Sequence, residues 1–280
     1  MENLRKIFTV SLLFVFVSAC VWSIGASKKA DLLFKAHTEN ELIPVLSLQY
    51  PDLDIKTAYC IQKDYVEKRL GNEKIAGFKA GITSEASQEK FNLTQPVAGV
   101  LFESGKKDDG AVIYQSEFKK LMMETEIGFL TGKAITEPIT DIDVLKDSIQ
   151  AVVPVVELPD LGFADKNLTG ADIIAANSAA SQFIVGPGKS VDDVDVNDII
   201  VFLNSEEAKI NQGKGSDALG DQWRAAMWLV NNMINQGYNI EPGNILITGA
   251  LGNIVPGNIG SYTAYYGNLG QISFEIRSGE

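Results

Sequence analysis

Apolar and polar positions along the chain change period several times, and each change predicts an element. Residues 55–70 carry Ile55, Tyr59, Val66 and Leu70 at helical spacing, with Asp54 placed to cap the first turn and Gly71 to stop the helix. From residue 74 the texture shifts to short apolar runs punctuated by glycine, at 75–83, 97–102 and 111–114, which predict strands. A second helix is predicted over 218–236, where Leu219, Trp223, Met227, Val230 and Ile234 form a core-facing stripe and Gly237 follows as a stop. Strands return at 245–248, 262–266 and 272–276, separated by glycine and asparagine turns. No internal repeat, low-complexity tract or proline-rich linker divides the chain. The pattern implies one α+β domain, mostly β.

The N-terminal segment reads as an address rather than as part of that domain. Residues 7–19 carry no charge and follow Arg5 and Lys6, as in a signal peptide, and the run is too short to span a bilayer. Phe8, Leu12, Leu13, Phe14, Val15, Phe16 and Val17 leave no polar face for a helix on a domain surface. Val17-Ser18-Ala19-Cys20 resembles a bacterial lipobox, which would make Cys20 the lipidated first residue; a small-residue cut after Gly25 or Ala26 is the second reading. The expected organisation is a signal peptide at 1–26, a helical N-terminal region at 27–75 packed on the main domain, and the main domain at 76–280. The expected location is the bacterial periplasm, with the membrane touched only through an N-terminal lipid anchor.

Composition narrows the chemistry. The chain has 280 residues, 24 of them Lys or Arg and 36 Asp or Glu, for a net charge of −12. That balance argues against a nucleic-acid partner, which needs a basic footprint. One histidine and two cysteines exclude zinc sites built from several Cys and His ligands. His37 lies in a polar stretch and is given no role. The glycines of Gly213-Lys214-Gly215 lack the spacing of a phosphate loop and read as turns. Chemistry must rest on carboxylates, hydroxyls, lysines or a metal.

Carboxylates stand out. Along 121–130, strand alternation puts Glu124 and Glu126 on one face with Met122, Gly128 and Leu130, a face too apolar to be simply solvated. Glu157 ends a further strand-like apolar run that begins at Val152. Three glutamates on apolar strands suit a hard divalent cation such as Mg²⁺ or Mn²⁺. The competing reading makes them edge-strand or ion-paired residues. Lys79 sits inside a strand-like run, either beside a bound anion or as an ordinary exposed strand lysine.

The order of several motifs resembles the fumarylacetoacetate hydrolase superfamily, in its branch of 2-oxopent-4-enoate hydratases and 4-oxalocrotonate decarboxylases. The carriers are Ala58-Tyr-Cys-Ile-Gln62, Gly77-Phe-Lys-Ala-Gly-Ile-Thr-Ser84, Gln95-Pro-Val-Ala-Gly99, Glu124-Thr-Glu-Ile127, Glu157-Leu-Pro-Asp160, Ala176-Asn-Ser178 and Ile245-Leu-Ile-Thr-Gly-Ala-Leu251. The resemblance implies a mixed β-roll with peripheral helices and a homo-oligomer. It implies Glu124, Glu126 and Glu157 as ligands of Mg²⁺ or Mn²⁺, a catalytic Lys79 near the substrate, and Ser84, Asn177, Ser178 and Thr248 as substrate-binding residues. The activity it implies is a hydratase, decarboxylase or C–C hydrolase working on a small 2-oxo acid through a metal-stabilised enolate. Two departures stand beside it. Thr94-Gln-Pro-Val97 lacks both acids of the hydratases' Asp-Gln-Pro-Asp, and Leu158-Pro-Asp-Leu161 replaces a Val-Asp-Ser-Arg type of sequence. The lost acids motivate the alternative of an exported binding protein that holds a 2-oxo acid or dicarboxylate without chemistry.

Overall fold

The computed structural model describes residues 24–279, so Cys20 and most of the expected signal peptide lie outside the described residues. Helices α1 (Ile24–Thr38), α2 (Leu46–Gln49) and α3 (Ile55–Leu70) precede strand β1 (Ile75–Gly81). Then follow α4 (Glu85–Lys90), β2 (Val97–Phe102), β3 (Lys106–Asp108), β4 (Val112–Tyr114), β5 (Met122–Thr131), α5 (Ile142–Ser148) and β6 (Ile149–Leu158). The second half holds α6 (Gly170–Ala175), β7 (Gln182–Val185), β8 (Ile200–Ser205), β9 (Lys209–Lys214), α7 (Gln222–Asn235), β10 (Ile245–Ile247), β11 (Val255–Pro256), β12 (Gly260–Tyr265) and β13 (Gln271–Arg277). An eight-stranded mixed sheet runs β2-β1-β10-β5-β6-β7-β3, with β11 paired to β5, and a five-stranded sheet runs β4-β13-β12-β8-β9.

The predicted strands form, with their ends set by local backbone. β1 stops at Gly81 because Ile82 takes φ 54°, a conformation that a β-branched residue reaches only under constraint. Gly213 belongs to β9 rather than to a turn: a Cβ there would lie 2.2 Å from the Leu251 carbonyl carbon. In the centre of the large sheet, β5 and β6 are buried along nearly their whole length instead of alternating, because both faces are packed. Phe78, Met123, Ile127 and Phe129 belong to the main core, while Leu101, Val153, Val155, Phe183, Ile245 and Ile247 form a second cluster.

Helices close the sheet. Asp54 caps α3, its carboxylate accepting from the Thr57 N–H at 2.7 Å. The second predicted helix begins later than its apolar pattern suggests. Leu219 at φ 51° and Gly220 at φ 75° cannot continue an α-helix, and Asp221 caps α7 by accepting from the Arg224 N–H at 2.9 Å. The fully buried side of α7 is Gln222, Ala225, Ala226, Leu229, Val230 and Met233, so Trp223, Met227 and Ile234 flank the contact rather than forming it. Residues 27–38, a polar stretch by sequence, lie within α1, whose buried positions Ala30, Leu33 and Ala36 include alanines too small to raise a stripe above its charged surroundings. α1 packs on α3, and α3 on α6. Among the described residues no helix is long and apolar enough to cross a membrane.

Candidate active site

Strand register gathers the carboxylates. β5 and β6 pair antiparallel with Glu124 opposite Glu157 and Glu126 opposite Val155. Paired residues point to the same side of a sheet, so all three glutamates share a face with Val153 and Val155. One carboxylate oxygen from each lies within 4.8 Å of the others. Glu126 and Glu157 are fully buried, whereas Glu124 is half-buried and lines a cavity of about 610 Å³. β5 and β6 are interior strands, which removes the edge-strand reading of these acids.

Lys79 reaches the same place from β1, where it pairs with Ile247 of β10. It is 3% exposed, and its Nζ donates to Glu157 Oε1 at 2.5 Å. It is therefore a buried ion-pair partner, not an exposed strand lysine. Glu126 Oε2 accepts the Gly249 N–H at 2.6 Å. Only glycine suits position 249, because φ is +111° and a Cβ would stand 2.5 Å from the Thr83 side chain. Gly249→Ala is expected to lower stability by about 1–3 kcal/mol and to weaken Mn²⁺ binding, since the strained loop withdraws the donor that orients Glu126. Chemical denaturation together with a Mn²⁺ titration measures both effects; a fully stable variant with unchanged affinity contradicts the argument.

The donor set fits a divalent cation. Glu126 Oε1 and Glu157 Oε2 are buried and lack hydrogen-bond partners. Three ionised carboxylates against one ammonium leave two negative charges in a dry place, which a doubly charged hard ion on oxygen ligands would neutralise. The titration of the group reports the same imbalance. Burial, followed by the charge of Glu157, pushes Glu124 up to about 7. Burial, then Glu157 and Glu124, holds Glu126 well above the ordinary carboxylate range. Burial works against the Lys79 ammonium, but Glu157, Glu124 and Glu126 outweigh it and raise its pKa.

A pH dependence follows. A carboxyl whose folded pKa is raised favours the fold while protonated, so its contribution is complete below the unfolded value near 4.5 and is lost as pH rises through about 7. In chelator, the melting temperature is expected to fall by roughly 5 °C between pH 5 and pH 8. Mn²⁺ competes with those protons, so the rise in melting temperature it produces should be larger at pH 8 than at pH 6. A metal-induced shift that is flat or reversed in pH contradicts this account.

The remaining expected site residues do not all meet the cavity. Ser84 caps α4 by accepting from the Ser87 N–H, and both Ser84 and Ser178 line the cavity. Asn177 is spent on the sheet, its side chain accepting from the Val100 N–H and donating to the Val100 carbonyl, each at 2.8 Å. Ser178 donates to the Ala98 carbonyl at 2.7 Å. Residues 177–179 all take φ near +55°, a left-handed turn laid against Gly99, where a Cβ would stand 2.7 Å from the Asn177 carbonyl. Thr248 is fully buried and bonds the Ile127 carbonyl at 3.0 Å and Gln222 Oε1 at 2.5 Å, outside the cavity lining. Sequence reasoning missed Thr83, Lys90 and Ile173 in the lining and the Gly249 amide on Glu126. A backbone donor leaves no trace in residue type. His37 lies elsewhere, edge-on to Tyr65 at 6.2 Å in a separate cavity.

No protein-family model matches the chain. Over 257 residues it is 27% identical to a 2-keto-4-pentenoate hydratase of Paraburkholderia xenovorans, covering 90% of this chain and 94% of that protein. Its fold matches 4-oxalocrotonate decarboxylase from Pseudomonas putida G7, complexed with magnesium and adipate, at a TM-score of 0.85 and 24% identity, over 90% of this chain and 97% of that one. A Yersinia pestis protein assigned to the fumarylacetoacetate hydrolase family matches at a TM-score of 0.56 and 15% identity, over 74% of this chain and 94% of that one. The chain is thus similar over nearly its whole length to 2-keto-4-pentenoate hydratases, and it shares the fold of the decarboxylase and of the fumarylacetoacetate hydrolase family protein. The hydratase and decarboxylase branch that the motif order resembles is the one these similarities point to. The mixed fold expected for the family is the one observed. Of the two departures from the branch's motifs, Val97 and Leu161 both line the cavity, while Thr94 is exposed.

Proposed function

We propose that this protein is a divalent-metal-dependent hydro-lyase or carboxy-lyase acting on a small 2-oxo acid. The observation that carries the reading is the carboxylate trio Glu124, Glu126 and Glu157, one oxygen of each within 4.8 Å, beside buried Lys79 in a cavity wall. The relatives' activities support it, as does the magnesium in the Pseudomonas putida decarboxylase. Glu124, Glu126 and Glu157 would hold the ion, Mg²⁺ or Mn²⁺ by donor chemistry. When bound, such an ion supplies Lewis acidity toward the carboxylate and 2-oxo oxygens of the substrate and favours loss of a proton from C3.

The protein's own groups do the rest. Lys79 stays protonated at neutral pH, so it serves as a fixed positive charge near the developing oxyanion and not as the base. Ser84 and Ser178 line the cavity, with their hydroxyl protons donated to the Ser87 hydroxyl and the Ala98 carbonyl, so they shape the wall beside the substrate. Asn177 and Thr248 act at one remove, by fixing the left-handed turn and the end of β10. A binding protein without chemistry is the disfavoured reading, because the relatives that match nearly the full chain are enzymes.

Proton NMR of 2-oxo acids in D₂O with Mn²⁺ or Mg²⁺ tests the proposal. Metal-dependent C3 deuterium exchange, with a hydrated or decarboxylated product, is expected. Saturable binding with neither exchange nor product would return the binding protein. We further infer export, supported by the residue pattern of 1–26, and self-association, supported by the family resemblance and by exposed Ile200 and Tyr265 on β8 and β12. Intact mass of the natively processed chain and sedimentation of the purified protein measure these.

A further inference from the structure

Beyond the carboxylates and the small hydroxyl residues, the cavity wall carries five large apolar side chains. Phe91, Val97, Leu161, Ile173 and Ile254 contribute apolar surface from the end of α4, the start of β2, the segment after β6, α6 and the loop before β11. Ile173 is buried, and Ile254 stands partly exposed. Among the described lining residues only Lys79, Lys90, Glu124 and Asp217 are charged, and there is no arginine. Lys79 is committed to Glu157. Asp217 is a carboxylate, held by the Lys214 and Gly252 amides at 2.8 and 3.0 Å, and it repels any second anion entering there. Lys90 is exposed, with its ammonium 5.3 Å from the centre of the Phe91 ring, so its charge is solvated and screened.

A carboxylate at the far end of a substrate would thus lose water and gain no fork of donors, while a hydrocarbon tail would replace water against five apolar side chains. A volume of about 610 Å³ also exceeds what a five-carbon acid fills. From this we infer that the substrate is a 2-oxo monocarboxylic acid whose tail beyond C3 is an uncharged hydrocarbon chain or ring of more than two carbons, and that Leu161 and Ile173 select for it. The inference rests on the proposal that the trio and Lys79 engage a 2-oxo acid.

The test uses the full folded protein loaded with Mn²⁺. C3 exchange by NMR and binding by calorimetry are measured for 2-oxopentanoate, 2-oxohexanoate, 2-oxooctanoate, 2-oxo-4-phenylbutanoate and 2-oxohexanedioate. Exchange efficiency should rise about two- to fourfold per added methylene, and 2-oxohexanedioate should fall at least about tenfold below 2-oxohexanoate. Ile173→Ala should weaken 2-oxooctanoate binding several-fold more than 2-oxopentanoate binding, and Leu161→Arg should narrow or reverse the gap between diacid and monoacid. Efficiency that peaks at five carbons, or a diacid equal to or better than its monoacid, overturns the inference whatever the variants do. If no acid exchanges, the enolate proposal fails, and the calorimetric ranking still decides the tail preference by itself.

Discussion

Replacing Glu124 and Glu126 together by glutamine should lower metal-dependent C3 exchange by at least about 10³-fold while leaving the protein folded. Glutamine keeps the volume of each side chain, and at position 126 its carbonyl still accepts the Gly249 amide, so packing around the site is preserved. The two negative charges most penalised by burial are gone, however, and with them two of the three groups able to hold a divalent ion. Stability should therefore move against activity. In chelator at pH 8 the double variant should melt no lower than the wild type, because two carboxylates that resist ionisation have been removed. Added Mn²⁺ should raise the melting temperature of the wild type and leave that of the variant unmoved. Exchange retained at the wild-type rate would separate the trio from the chemistry.

The second large effect belongs to the Lys79–Glu157 pair. Glu157→Ala leaves a buried ammonium without its 2.5 Å partner, a change that costs about 3–5 kcal/mol when the remaining charge is uncompensated. Glu124 and Glu126 lie close enough to stabilise Lys79 in part, which places the expected loss at the lower end of that range. Lys79→Met in the same background should restore most of the stability, since a thioether of similar length needs no counter-charge, and it should restore no exchange. Denaturant unfolding of the two single variants and the double variant gives the coupling energy directly. A cost for Glu157→Ala below about 1 kcal/mol would mean that the pair is not held as described.

Much of this was legible in the chain, and the reason differs from residue to residue. Strand positions such as 97–102 and 245–247 are short apolar runs with glycine within or near them, and that signal is local. The common face of Glu124 and Glu126 follows from the two-residue period of a strand and needs no partner to be read. α7 starts later than the apolar pattern from 218 predicts, because the positive φ values of residues 219 and 220 are a backbone property that polarity does not reveal. The helix over α1 leaves only a faint apolar stripe in the sequence because its contact with α3 uses alanines, which pack by smallness rather than by hydropathy.

The sequence by itself determined the inventory: three glutamates and a lysine on apolar strands, too few cysteines and histidines for a zinc site built from them, a family order of motifs, and two apolar residues where the family's pattern carries charge. The tertiary structure decided their meeting. Lys79 and Glu157 lie 78 positions apart, and of the two strands between them in the sheet β5 comes from within that interval while β10 comes from far beyond it. Register across β5 and β6 sets Glu124 against Glu157, and the loop after β10 brings the Gly249 amide to Glu126. It also turned Asn177 and Thr248 away from the cavity and Leu161 and Ile173 toward it. Periodicity along a strand fixes which face a side chain takes, but which strand lies alongside, and in what register, follows from burying both faces of the sheet at once.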